Sequence, residues 1–230
     1  MLHVAVFGGS GAIGSEIVAY FKARLWDVTI ITRRSATDLI DAVCWNPIDE
    51  KMPRAIEVGK PFDAVCWAQG QNCNDSVYDF DSSLHIEMYQ SNVLFILKSL
   101  TALLDKKMLA PAARLCVISS IWQNISRQNK LSYGISKAAL QGLVLSAAND
   151  LGRDGYLINA VLPGALETPM TRKNLSTAQI DSLANATQFG RLPELEDVAS
   201  AVFYLCSPQN TGITGQFIKV DLGYSDVRVI

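Results

Sequence analysis

Tyr133 and Lys137 stand four residues apart in the segment Ser132-Tyr133-Gly134-Ile135-Ser136-Lys137. On a helix such residues share one face, so the phenol and the ammonium reach into the same space. A free tyrosine titrates near pH 10, too high for ready proton transfer at neutrality. A neighbouring ammonium favours the phenolate and lowers that value. Bringing it near 7 takes roughly 4 kcal/mol of differential interaction. The pair therefore suits general acid–base chemistry. It equally suits the polar side of an ordinary amphipathic helix.

A second constellation lies at the start of the chain. The run Phe7-Gly8-Gly9-Ser10-Gly11-Ala12-Ile13-Gly14 contains Gly9-x-Gly11-x-x-Gly14. Between a strand and a helix, that spacing gives a tight turn, close approach of backbone to a pyrophosphate, and a helix N-terminus that attracts anions. Glycines also serve plain β-to-α connections, but a strand before and a helix after favour dinucleotide binding. An acid about 20 positions further on would bind the ribose 2′-hydroxyl of NAD. Here the second strand ends in Ile31-Thr32-Arg33-Arg34, with no carboxylate. Two guanidinium groups suit a 2′-phosphate, which points to NADP(H); the competing reading is a solvated basic turn.

The elements able to position these groups alternate along the chain. Strands are expected at Leu2–Phe7, Val28–Thr32, Ala64–Trp67, Arg114–Ser119, Leu157–Val161 and Gln216–Val220. Helices are expected at Ile13–Arg24, Leu84–Leu104, Ser132–Leu151 and Pro193–Leu205, the last with Glu194, Glu196 and Asp197 at its positive end. Alternating β and α predicts a doubly wound α/β parallel sheet of the Rossmann type, covered by helices on both faces. No repeat or linker interrupts the pattern, so residues 1–230 are read as one domain.

Bulk composition narrows the function. Charged residues make up 18% of the 230 and hydrophobic ones 49%, which excludes a disordered chain. The net charge of −2 gives no general pull toward nucleic acid or an anionic membrane, and neither partner is expected. No apolar run approaches the roughly 20 residues that span a bilayer, and the start lacks the pattern of a signal peptide. Five scattered cysteines without a Cys-x-x-Cys pair, and His3 and His85 remote from any cysteine cluster, predict free thiols, a cytoplasmic setting and no metal.

Taken together, these motifs resemble the single-domain short-chain dehydrogenase/reductases over essentially the whole chain. Ser120 closes Cys116-Val-Ile-Ser-Ser120 and precedes Tyr133 by thirteen residues, the family's spacing. Asn92, in Gln90-Ser-Asn-Val-Leu94, matches the family's helix asparagine, and Thr214-Gly215 and Asp221-Leu-Gly223 echo its closing motifs. The resemblance implies an oxidoreductase that interconverts a carbonyl and an alcohol. Tyr133 would protonate the carbonyl oxygen. Lys137 would lower the tyrosine's pKa and bind the nicotinamide ribose. Ser120 would hold the substrate oxygen, and Asn92 a proton-relaying water. It further implies cofactor contacts from Gly8, Ser10, Gly11, Ile13, Gly14, Arg33, Arg34 and Gly70. Pro163, Gly164 and Thr168 would hold the nicotinamide end. Two departures stand out: Phe7 and Ala12 replace a threonine and a glycine of the family's turn, and Trp67-Ala-Gln-Gly70 keeps only the glycine of its Asn-Asn-Ala-Gly. The alternative register Gly8-x-x-Gly11-x-x-Gly14 resembles the extended branch, from which the short chain and its closing motifs depart.

In the family, the stretch between the serine and the tyrosine walls the substrate site. Here that places Trp122 as a wall or as core, with Gln123, Asn124 and Arg127 making the loop polar. The segment from Met170 to Gly190 would form a lid, in which Arg172 and Lys173 meet an anionic substrate or form a solvated pair. The implied substrate is polar and oxygenated: a keto-sugar, or a 3-oxoacyl thioester as in the 3-oxoacyl carrier-protein reductases that the chain also resembles. The resemblance further implies a homodimer or homotetramer joined through Leu84–Leu104 and Ser132–Leu151. Two rival readings keep the cofactor pocket: a silent NADP(H)-binding regulator, and an epimerase or dehydratase with a transient keto intermediate.

Overall fold

The computed structural model describes residues 1–33, 42–168, 171–172 and 176–227; Arg34, Met170 and Lys173 lie outside them. Seven strands form one all-parallel sheet: β1 (His3–Phe7), β2 (Asp27–Thr32), β3 (Ala42–Cys44), β4 (Phe62–Trp67), β5 (Leu109–Ile118), β6 (Leu157–Pro163) and β7 (Phe217–Val220). Their order is β3-β2-β1-β4-β5-β6-β7, so the chain winds outward in both directions from β1 and β4. In sheets of this topology ligands bind beyond the carboxyl ends of the strands at such a reversal, here β1 and β4.

The helices are α1 (Ala12–Lys22), α2 (Arg54–Glu57), α3 (Ser82–Tyr89), α4 (Phe95–Asp105), α5 (Leu131–Leu151), α6 (Thr177–Asn185) and α7 (Leu195–Cys206). Alternate residues of the central strands feed opposite faces, as the period of two requires. Val4, Val6, Cys66 and Cys116 pack under α1 and α7 with Ile17, Phe21 and Val202. Ala5, Phe7, Trp67 and Val117 pack under α4 and α5 with Leu100, Leu103, Leu140 and Val144. Every residue of β1 is buried, because helices cover both sides of it.

Each expected strand and helix appears, with four differences, one of them the single-turn helix α2 at Arg54–Glu57, which was not expected. The expected helix Leu84–Leu104 is two helices joined by a π-helical turn, Gln90–Leu94, with Asn92 at its middle. A short strand, β3, adds an edge that composition did not mark. Helix α6 rises within the segment read as a lid, started by a capping box in which Ser176 and Gln179 bond each other's backbone N–H groups.

Candidate active site

The glycine turn is built by crowding. Gly8 closes β1 at φ +74°, and a Cβ there would lie 2.6 Å from the Gln69 backbone nitrogen. A Cβ on Gly14 would lie 2.1 Å from the Gly8 carbonyl oxygen, so only glycine lets α1 start against the turn. Gly9 is tight too, with Ile30 Cγ2 at 2.9 Å, whereas Gly11 meets only the Gly8 oxygen at 3.4 Å. Ser10 and Gly11 are exposed and Ile13 half-buried at the mouth. Helix α1 begins at Ala12, and its first-turn N–H groups supply the anion-attracting end. Beside the turn, both amide atoms of Gln69 are buried without a hydrogen-bond partner. A side-chain-free cradle with polar atoms to spare fits a dinucleotide.

Arg33 leaves the end of β2 and donates from Nη1 to Ser91 Oγ at 3.2 Å. With the Gln71 amide oxygen turned toward it, Gln71 accepts from both terminal guanidinium nitrogens at 2.9 and 3.2 Å, and its nitrogen reaches Glu87 at 3.1 Å. The arginine is therefore oriented by the segment after β4 and by the π turn. Sequence reasoning named Arg33 and missed Ser91 and Gln71, which carry no motif and matter only through this contact.

Asn92, Ser120, Tyr133 and Lys137 meet beyond the ends of β4 and β5. Asn92 is buried; its Oδ1 accepts from Gln71 N at 2.7 Å, and its Nδ2 donates to Gln71 O at 3.1 Å and Ser136 Oγ at 2.9 Å. This grip ties the π turn to β4 and α5. Gly70 sits between the partners, for a Cβ there would lie 3.2 Å from Asn92 Oδ1 and 3.7 Å from Lys137 Nζ. Ser120, also buried, accepts from Trp122 N at 3.3 Å and starts a turn of 3₁₀ helix.

Electrostatics at the pair depart from expectation. Burial pushes the Tyr133 phenol above its ordinary value, and a hydrogen bond from the Ser120 side only partly offsets it. Lys137 Nζ lies 5.7 Å from the ring centroid and donates to the Ile118 carbonyl at 3.0 Å. Burial pulls that ammonium down to about 8. The ammonium thus does not bring the phenol toward neutrality here: desolvation wins, and the phenol keeps its proton at pH 7.

The far wall comes from β6 and the segment after it. Pro163 ends β6, and Gly164 N donates to Val220 O at 3.0 Å where a Cβ would lie 2.8 Å from Asp221 Cβ. Thr168 is buried and its Oγ1 accepts from Thr171 N at 3.1 Å. Arg172 pairs with Glu167 at 2.7 Å. Trp122 packs on the core and also lines a cavity of about 10 Å³. That cavity is lined mainly by Ile121, Trp122, Leu183, Leu192, Pro193 and Tyr224, and is therefore apolar. Among the described residues no cluster of His, Cys, Asp or Glu is arranged to hold a metal, and no helix is long and apolar enough to cross a membrane.

A doubly wound sheet with a glycine turn at its reversal and a Ser-Tyr-Lys-Asn set beside it defines a nucleotide-dependent oxidoreductase scaffold. The chain belongs to the short-chain dehydrogenase/reductase family: residues 63–225 match a family model described as enoyl-(acyl carrier protein) reductase. It is 28% identical to the uncharacterized oxidoreductase YmfI of Bacillus subtilis, over 95% of this chain and 97% of that one. It is 39% identical to human (3R)-3-hydroxyacyl-CoA dehydrogenase over 106 residues, 46% of this chain and 40% of that protein. Among solved structures, the ligand-free aldohexose dehydrogenase of Thermoplasma acidophilum superposes with a TM-score of 0.86 at 20% identity, covering 100% of this chain and 96% of that one, a likeness of fold.

Proposed function

We propose that this chain uses NADPH to reduce the carbonyl of a 3-oxoacyl thioester, as a homodimer or homotetramer. The observation that carries the reading is the convergence of four side chains beyond the carboxyl ends of β4 and β5: Asn92 bonded to Gln71 and Ser136, Lys137 to Ile118, and the Tyr133 phenol beside Ser120. NADP(H), when bound, supplies the hydride. The backbone of Gly8, Ser10, Gly11, Ile13 and Gly14 would hold its diphosphate, Arg33 its 2′-phosphate, Gly70 its adenosine side, and Pro163, Gly164 and Thr168 its nicotinamide end. Ser120 holds the substrate oxygen. Tyr133, protonated at neutrality, donates its proton to that oxygen as negative charge develops there. Lys137, titrating at about 8, exchanges protons near working pH and restores the phenol. Asn92 keeps the segment at Gly70 and Gln71 in register with Lys137.

Ile121 and Trp122, next in the chain to Ser120, are apolar and would pack on an acyl chain, whereas each sugar hydroxyl buried against them without a partner costs about 1–3 kcal/mol. The name of the human relative supports the same class. The test monitors NADPH absorbance with 3-oxoacyl thioesters and keto-sugars side by side. Thioester turnover is expected to dominate, and Tyr133→Phe to lose at least about a hundredfold in kcat with the fold kept. Arg33→Ala is expected to erase most of the preference for NADPH over NADH. Turnover of keto-sugars alone sinks the substrate reading; an active Tyr133→Phe sinks the mechanism.

A further inference from the structure

Lys130 stands at the head of α5, three residues before Tyr133, and is only 7% exposed. Its Nζ donates to Asn72 Oδ1 at 2.6 Å, to Asn74 Oδ1 at 2.6 Å and to Cys73 O at 2.9 Å. Three acceptors use all three N–H bonds of an ammonium. None is a carboxylate. Asp75, the next acid along, spends Oδ1 on Ser132 N at 3.0 Å and Oδ2 on the Ser132 hydroxyl. The charge is therefore hydrogen-bonded by neutral oxygens, with the Asp75 carboxylate acting on it only through space, and its burial carries a desolvation cost that a neutral side chain would avoid. The same Nζ lies 5.6 Å from the Tyr133 ring centroid, as near as that of Lys137 at 5.7 Å. Both distances fall within the range over which a cation is attracted to an aromatic ring.

We infer that Lys130 is a positioning residue for Tyr133: its buried ammonium pins the 72–74 loop to the head of α5 and holds a second positive charge beside the phenol ring. The inference rests on the proposed role of Tyr133 as proton donor. The loop continues back through Gln71 to Asn92, so one lysine braces both ends of the catalytic set. Charged or titratable groups around the phenol come from each neighbouring element. Helix α5 gives Lys137, the loop before it Lys130 and Arg127, and the loop after β4 Cys73 and Asp75. Helix α3 gives His85, which bonds Ser132 Oγ at 2.9 Å. Burial and then Arg127 pull Lys130 below the ordinary lysine value, while Cys73 and Asp75 oppose them.

The test titrates the phenolate of Tyr133 by ultraviolet absorbance without substrate, each variant read against the same variant carrying Tyr133→Phe. Lys130→Met removes the charge. Asn74→Asp keeps the lysine and neutralises it in place, which protects the test if Lys130→Met does not fold. Both are expected to raise the Tyr133 midpoint by about one pH unit, tenfold less phenolate at a given pH, with the same shift in the pH profile of alcohol oxidation. Lys130→Arg is expected to keep the midpoint. An unmoved midpoint in folded Asn74→Asp overturns the inference. Midpoints that shift as stated in a protein that turns over no substrate uphold it while the proposed reaction fails.

Discussion

At the residue scale, burial moves two protons in opposite senses. It penalises charge, so it raises the Tyr133 phenol and lowers the Lys137 ammonium to about 8. A lysine ordinarily titrates at 10.5, so between about 8 and 10.5 the unfolded chain binds more protons than the folded one. Stability therefore rises with pH in that window and carries the full penalty below it, on the order of 3 kcal/mol. Lys137→Met removes the titration. The wild-type unfolding free energy, measured by denaturant at pH 7, 8, 9 and 10, is expected to climb relative to Lys137→Met. Parallel curves for the two proteins would show that Lys137 is not desolvated. The spacing of Tyr133 and Lys137 was legible in the sequence, but this balance was not. Spacing reports which groups share a face, whereas the balance depends on how much water the finished fold leaves around them.

At the element scale, the glycine turn and the π turn set the geometry. Gly14→Ala would drive a Cβ onto the Gly8 carbonyl, a backbone atom with no room to yield. It is expected to displace α1, cost about 1–3 kcal/mol of stability and abolish tight NADPH binding. Gly11→Ala, whose Cβ would meet one protein atom at 3.4 Å, is expected to leave thermal melting nearly unchanged. Melting curves of both variants and fluorescence titration of Gly14→Ala decide it, and equal effects on melting would deny Gly14 its special place. The order of strands and helices was readable because buried parallel strands and amphipathic helices carry distinct periods. The break at Asn92 escaped. The apolar pattern runs on through Leu84–Leu104, and the π turn arises from a long-range pull, the Asn92 amide closing on the Gln71 backbone. Strand β3 escaped for a simpler reason: three residues at a sheet edge are too few to show a period. Helix α6 did carry a local signal, the Ser176-x-x-Gln179 capping box.

At the scale of the whole molecule, α5 presents two different sides. Its inner side carries Lys137 and the core residues Leu140 and Val144, while Ile135, Ala138, Gly142 and Leu145 form an exposed stripe at spacings of three and four. Ile135 is 45% and Leu145 49% exposed, and Leu97 on α4 is 41% exposed. Gly142 is the informative member. A mid-helix glycine costs about 1 kcal/mol relative to alanine, and a Cβ built there meets nothing within 4 Å. Among the described residues nothing asks for glycine there, whereas a second helix laid along the stripe would, because small residues let backbones approach. This is the surface through which the proposed homo-oligomer would form. Light scattering at micromolar concentration is expected to give a dimer or tetramer for the wild type and a folded monomer for Gly142→Arg. Because the stripe shares a helix with the proposed catalytic pair, the monomeric variant is expected to lose activity several-fold while the NADPH binding proposed for α1 and β2 is kept. A monomeric wild type, or full activity in a monomeric Gly142→Arg, would separate assembly from catalysis and leave the glycine unexplained.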